Sequence, residues 1–359
     1  MRQWESMTVG RENSDIIQKM AEMAESHYGI EDDTAHAEYL EHEYFHDPAG
    51  DALIEIAWDQ EKDQVAGQYI AIPMKIRIKG VDSDCLMSVN TLTREEYRGQ
   101  GIFTGLAGSV YDRAAAQGYR LAYGMPNQHS YPGFIKSLSF EDRGAVPLYL
   151  RPLRPSNLVR SYLKWNVAAK LASPFDHFMK MKDPGTISIE RLTPDNLDLA
   201  ETFWKSIRDA YPVMICRDSV YIRYRYLDIP RRKYHCFYAM EDGTPVAFAC
   251  GRVMVVAGLR CGMVADFLFL PGHEDAAWSL LRKLMFSLQT DGADMIGCMA
   301  PPDSKEARLI RHHGFFRCPK AMEPQPFRFI LRILQPDDRA EEVKELKNWF
   351  FTMGDYDVV

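Results

Sequence analysis

The stretch SVNTLTREEYRGQGIFTGLAGSVYDRA, residues 88–114, decides the reading of this chain. An apolar run beginning at Cys85 ends at Leu92-Thr93 and reads as a strand. Gly99 and Gly101 punctuate a short loop, and 102–117 reads as a helix stopped by Gly118. A helix start leaves about four backbone N–H groups unpaired, and the helix dipole adds partial positive charge there. A phosphate satisfies both. Glycine lets the backbone come close to such a ligand. Arg98 adds a cation whose geometry suits phosphate, and Tyr97 and Phe103 are placed to pack the loop onto the core. The plainer reading is a glycine turn ahead of an ordinary helix. No Gly-Lys-Ser or Gly-Lys-Thr is present, so this is not a P-loop. Nor is it the dinucleotide pattern G-x-G-x-x-G, because Thr104 stands at the third glycine and hairpins precede the loop.

Outward from the loop, residues 14–28 have helical spacing. Ile16, Ile17, Met20, Met23 and Ala24 share one side, and Ser14 or Asp15 is placed to cap the start. Segments 52–59 and 64–80 read as strands joined by a turn. Residues 121–126 read as a short buried strand, 130–138 as a short helix, and 139–141 as the opening of another strand. Segment 152–185 contains an amphipathic stretch and reads as a linker helix. From Ile187 the order repeats, ending in a strand over 327–334 and a closing helix over 340–351. Tyr44 and Pro48 recur as Tyr226 and Pro230, 182 residues on. Met125–Ser130 resembles Ala300–Ser304, with Ser304 lying 174 residues after Ser130, and Phe140 recurs as Phe315, 175 residues on. Three matches in one order at nearly constant spacing predict two copies of one α+β unit, against the alternative of chance.

The chain has 359 residues, which suggests two domains. With 46% hydrophobic and 26% charged residues it has the composition of a soluble globular protein. A net charge of −7 gives no support for a nucleic-acid-binding face, and the short basic run Arg231-Arg232-Lys233 reads as a solvated turn. The seven cysteines are odd in number and form no C-x-x-C pair, so reduced, mostly buried thiols are expected and not a disulfide framework. No metal site is expected. The polar N-terminus and the lack of any apolar run of about 18 residues predict a cytoplasmic protein without a membrane partner.

With these elements in place, the loop resembles that of the GNAT superfamily of N-acetyltransferases. The family motif, R/Q-x-x-G-x-G/A, follows the fourth strand and opens the third helix. Arg98-x-x-Gly101-x-Phe103 matches its first two landmarks and departs from the last at Phe103. Variants of the form RGxGIF resemble a subgroup of bacterial members, many from cell-surface sugar biosynthesis clusters. The resemblance covers 14–150 well and 186–335 more faintly. It implies an α+β fold of two GNAT-like domains, each a mixed, mostly antiparallel twisted sheet flanked by helices. The acetyl-CoA-binding domain would span 1–151, the linker helix 152–185, and a degenerate second domain with a C-terminal helix 186–359. It implies acetyl-CoA as co-substrate and a small-molecule primary amine as acceptor, an amino sugar by family analogy. In the family the loop amides hold the pyrophosphate, which implicates Arg98, Gly99, Gln100, Gly101, Ile102, Phe103 and Thr104. The end of the fourth strand pairs with the pantetheine arm, which implicates Leu92 and Thr93. Asn127, just past the fifth strand, is a further candidate contact, or simply a turn residue.

Catalysis is less legible. Acetyl transfer requires an amine that loses its proton, a polarised thioester carbonyl and a stabilised thiolate. Many GNAT enzymes supply a tyrosine acid in the pattern Y-x-x-x-G-F, but Ile135 precedes Phe140 and Ile310 precedes Phe315 at that distance. Tyr131, one helical turn earlier, is a candidate acid, with packing as its other reading. His129 is a candidate base, or an exposed residue at a helix start. Asp82, Asp84, Glu95 and Glu96 could relay a proton through water or be merely solvated. In the second copy the loop is Pro271-Gly272-His273-Glu274-Asp275, without arginine or a second glycine. Its acids would repel a pyrophosphate, so this copy is expected to have lost cofactor binding and to shape the acceptor site. The tandem arrangement resembles that of enhanced-intracellular-survival aminoglycoside acetyltransferases, and also FemABX-type aminoacyltransferases, which generally lack a clean CoA loop. Two alternatives therefore stay open: a CoA-binding sensor or scaffold without turnover, and an aminoacyltransferase.

Overall fold

A computed structural model describes residues 4–163, 174, 176, 188–256, 258–320 and 322–356. They fall into two compact units, one of Met1–Ala145, Asp228–Arg231 and Phe327–Leu346, the other of Val146–Leu227, Arg232–Pro326 and Lys347–Val359.

The first unit is built on a mixed sheet. Its strands are β1 (Glu5–Val9), β2 (Leu53–Asp59), β3 (Gln64–Ile78), β4 (Val81–Thr93), β5 (Leu121–Gly124) and β6 (Glu141–Ala145). The order is β1-β2-β3-β4-β5, then the strand Arg328–Ile333, then β6. Neighbours are antiparallel except β4 and β5, which run parallel. Helices α1 (Ser14–Tyr28) and α3 (Ile102–Ala116) both pack on β3, which explains why that strand is apolar over most of its length instead of alternating. α1 buries Ile16, Ile17, Met20, Met23 and Ala24, as its spacing predicts. Its N-cap is Asn13, not Ser14 or Asp15, and the Asn13 side chain accepts from the Gly10 amide at 3.0 Å. Two elements escaped the sequence reading. One is β1, a short polar edge strand paired to β2. The other is α2 (Ala37–Phe45), whose buried His42 and Glu43 blur the apolar period.

The second unit repeats the plan. Its strands are β7 (Leu148–Pro152), β8 (Ser188–Arg191), β9 (Val213–Ile215), β10 (His235–Glu241), β11 (Thr244–Val256), β12 (Leu259–Phe269), β13 (Met295–Met299) and β14 (Phe316–Arg317). Its sheet runs β14-β7-β13-β12-β11-β10-β8, again with one parallel pair, β12 and β13. The helix Glu274–Thr290 follows β12 as α3 follows β4. Both copies also close the turn after the short helix with a backbone bond, though over different spans: the Phe140 amide donates to the Phe134 carbonyl at 3.2 Å, and that of Phe315 to Ile310 at 3.1 Å.

The division differs from the contiguous one expected at 1–151, 152–185 and 186–359. The strand Arg328–Ile333, read as part of the second copy, completes the first unit's sheet, while β7 completes the second's. Local pattern identifies a strand but not its sheet, because pairing partners here lie some 200 residues apart. Of the linker, α5 (Pro155–Leu163) is a helix, and most of 164–187 lies outside the described residues. The closing helix is also shorter than expected. It covers Ala340–Lys344, followed by a single 3-10 turn at Leu346–Asn348. Trp349, Phe350 and Phe351 are consecutive and at most 2% exposed, which one helix face does not allow. The basic run is not wholly solvated either: Arg231 pairs with Asp33 at 3.7 Å and Arg232 is buried. All seven cysteines are buried and unbridged. Among the described residues no helix is long and apolar enough to cross a membrane, and no His/Cys/Asp/Glu group is placed to hold a metal.

Candidate functional site

The site is assembled where β4 hands over to α3. Gly101 is the N-cap of α3 in the left-handed conformation, φ +77°, and Gly99 shares that φ. A side chain is strained at such a φ, yet a Cβ at Gly99 would meet nothing within 4 Å and one at Gly101 only the Thr104 hydroxyl, at 4.0 Å. The glycines therefore answer to backbone conformation, and the space in front of them is open. No side chain caps the helix. Among the described residues no protein group accepts from the amides of Gly99 through Thr104. The Thr104 hydroxyl turns back onto the Gly101 carbonyl at 3.1 Å, and Gln100 is exposed.

The loop is held from below. Tyr97 is fully buried; its hydroxyl donates to Asp59 and accepts from Gln64 at 3.0 Å. Ile102 is buried in the core with Leu106 and Val110. Phe103, the departure from the family motif, lies over Gly133, where a Cβ would come within 2.6 Å of the ring. It meets Phe134 edge-on at 5.2 Å and Tyr69 at 5.7 Å, an arrangement that aromatic pairs favour. Arg98 is exposed and among the described residues pairs only with Glu95, at 3.2 Å, a contact of the kind worth little in water and easily exchanged for a ligand phosphate.

Beside the loop, β4 and β5 part. Their pairing covers Cys85–Met87 against Leu121–Tyr123. Beyond it β4 continues to Thr93, paired among the described residues only to β3, which leaves its other edge open past Ser88, with Leu92 and Thr93 at its end. An extended ligand can add to such an edge as a strand. The open edge carries a bulge that sequence reading missed: Asn90 and Thr91 stand opposite the single residue Tyr69. Asn90 has φ +47°. Its side chain donates to Glu43 at 2.6 Å and to the Tyr44 hydroxyl at 3.0 Å. An asparagine in mid-strand was the available signal, since Asn is disfavoured in strands and tolerates this conformation.

The remaining candidates lie at the start of α4 (Tyr131–Ser137). Asn127 Oδ1 accepts from the His129 and Ser130 amides at 2.9 and 3.0 Å, so its side chain is engaged in a turn. His129 is exposed. The Tyr131 hydroxyl donates to Asp142 at 2.5 Å, and Asp142 also accepts from Arg328 at 2.6 Å. The bond to Asp142 raises the phenol above its ordinary range, which disfavours it as a proton donor. Asp84 pairs with Lys75 at 2.5 Å and Asp82 with Arg77 at 2.7 Å. Glu95 and Glu96 are exposed.

The second copy's loop carries acids where the first carries Arg98 and a second glycine. The Glu274 carboxylate accepts from the Gly272 amide at 3.4 Å, and the His273 ring bonds Glu241 at 2.8 Å. Acidic Glu274 and Asp275 occupy the first helical turn. Glu274→Ala is therefore expected to leave CoA affinity within about twofold, as calorimetric titration would read; a larger change would mean that this copy binds the cofactor.

Comparison with known proteins agrees with this geometry. Residues 11–141 match the acetyltransferase (GNAT) domain family. No curated protein matches the chain. Among solved structures, a probable N-acyltransferase from Enterococcus faecalis is similar at 13% identity and a TM-score of 0.60, over 93% of this chain and 73% of that one. A GCN5-related N-acetyltransferase from Anabaena variabilis is similar at 12% and 0.61, over 92% and 73%. The N-myristoyltransferase of Saccharomyces cerevisiae, with bound myristoyl-CoA, is similar at 11% and 0.65, over 94% and 84%. At such identities the likeness is one of fold. Over most of its length the chain shares the fold of these proteins, with two similarly built halves.

Proposed function

We propose that the first unit binds acetyl-CoA and transfers its acetyl group to a primary amine, with an amino sugar as the acceptor class. The observation that carries this is the set of unpaired amides from Gly99 to Thr104 at the start of α3, facing open space. These amides, with Arg98, would hold the pyrophosphate, and the free edge of β4 up to Leu92 and Thr93 would hold the pantetheine arm. Asn127, engaged in its turn, would border the arm rather than grip it. When bound, acetyl-CoA supplies an activated acyl group. The chain's own contribution is positioning and backbone donors toward the acyl oxygen. His129, exposed in the turn after β5, is the base in this reading. Tyr131 packs and orients α4 through Asp142. Tyr131→Phe is accordingly expected to change kcat by no more than about twofold in a thiol-release assay, far below the 10²-fold or more that general-acid catalysis contributes. A drop of that larger size would restore Tyr131 as the acid.

The deciding experiment is CoA thiol release from acetyl-CoA, screened over a panel of amines that includes amino sugars. Release that depends on an amine supports the proposal. CoA binding without release on any amine favours a sensor, a reading to which Ile135 in the usual tyrosine position lends weight. Transfer that requires aminoacyl-tRNA and ignores CoA favours an aminoacyltransferase.

A further inference from the structure

Three hydroxyls form a continuous chain at the point where β4 and β5 separate. Ser88, half-buried, is the first β4 residue past the pairing with β5. It lies so close to Gly124 that a Cβ there would stand 3.5 Å from its own Cβ. Its hydroxyl is 3.0 Å from the Tyr69 hydroxyl on β3, which is 2.6 Å from that of Tyr111 on α3. Both phenols are buried, at 0% and 1% exposure. Beyond them, the Arg332 guanidinium sits 4.8 Å from the Tyr111 ring centre. Burial pushes Tyr111 up to about 12 and Tyr69 well above its ordinary value, so neither gives up its proton readily. Packing alone does not require this chain. Phenylalanine would fill either buried site, and Ser88 is the one member that reaches solvent at the mouth of the splay.

Resting on the acyl-CoA reading above, we propose that Ser88 donates a hydrogen bond to the sulfur of CoA as the thiolate leaves, with Tyr69 and Tyr111 as positioning residues behind it. A hydroxyl carries one proton and rotates freely. When Ser88 turns its proton to sulfur, Tyr69 donates to Ser88 and Tyr111 donates to Tyr69, so every oxygen in the chain stays satisfied. No proton is transferred along it. The C–N bond forms, the C–S bond breaks, sulfur leaves with the electron pair, and the proton lost by nitrogen goes to His129, the base of that reading. Aligned hydroxyls polarise one another, and the Arg332 charge at the far end favours negative charge at the near one. This device takes the place of the tyrosine that Ile135 replaces.

The test titrates the thiol of CoA bound to the full chain, following the ultraviolet absorbance of the thiolate. In the wild type the bound thiol is expected to ionise at least about one pH unit below free CoA, a tenfold effect. Ser88→Ala is expected to return it to the free value with CoA affinity kept within about twofold, and Tyr69→Phe to return it partway. Retained affinity serves as the check that the variants fold. With an alkyl thioester donor, Ser88→Ala is expected to lower kcat about tenfold, and with an activated aryl thioester hardly at all, because a better leaving group needs no donor. A bound thiol that ionises alike in wild type and Ser88→Ala overturns this inference and leaves the acyl-CoA reading standing. A wild-type protein that binds no CoA overturns both.

Discussion

Gly101→Glu is expected to weaken CoA binding by at least about 100-fold, or about 2.7 kcal/mol, while the circular dichroism spectrum and melting temperature stay close to wild type. Two effects act together. The φ of +77° strains any side chain, at roughly 1–2 kcal/mol for a left-handed residue. The carboxylate then projects into the open space where the amides point, replacing an anion-receptive corner with an anion. Gly101→Ala separates the two, since it carries the strain without the charge. Its affinity loss is expected to be much the smaller. Near-normal CoA affinity in Gly101→Glu would remove the loop as the phosphate site.

The second large effect is one of stability and lies in the second unit. Arg217 is 3% exposed and bonds Asp266 through Nε at 3.1 Å and Nη2 at 3.0 Å, and Asp355 through Nη2 at 2.8 Å. Both carboxylates are buried, at 0% and 1% exposure. Thr352 and Tyr226 each donate to Asp266 at 2.6 Å. The cluster fastens the segment after the 3-10 turn to β12, and Trp349, Phe350 and Phe351 go in with it. Arg217→Leu removes the only cation that bonds either carboxylate among the described residues and leaves two acids facing each other. Breaking a buried pair from one side costs roughly 3–5 kcal/mol, which at this size corresponds to a fall in Tm of about 10 °C. Calorimetry or thermal shift would show it. Neutralising the acids as well, in Arg217→Leu/Asp266→Asn/Asp355→Asn, is expected to recover part of the loss. An unchanged Tm for Arg217→Leu would mean that the cluster is energetically idle.

What was legible in the sequence was what short-range chemistry dictates. The run 88–114 showed a strand, a glycine loop and a helix because each obeys a local rule: apolar alternation, φ-permissive glycines, helical spacing. The α1 boundaries at Ser14 and Tyr28 and the α3 start at Ile102 followed from the same rules. The repeat was visible because both copies keep the turn after the short helix at Phe140 and Phe315. Long-range pairing was not legible. Nothing within Arg328–Ile333 says that it lies between β5 and β6, since its apolar pattern would suit either sheet. Asn90 was passed over because a bulge is a property of two strands in register, and one strand alone does not show it. The Ser88–Tyr69–Tyr111 chain joins three separate elements, β4, β3 and α3, so it exists only after folding. Tyr131 shows the opposite case: the sequence offered an acid, and the fold binds its hydroxyl to Asp142.

The most direct test is a crystal structure of the full chain with acetyl-CoA. The account predicts both phosphates of the bridge within hydrogen-bonding reach of the backbone N–H groups between Gly99 and Thr104, and the arm lying along β4 where β5 has turned away. A nucleotide bridge seated anywhere else on the protein, with those N–H groups left facing water, would contradict it.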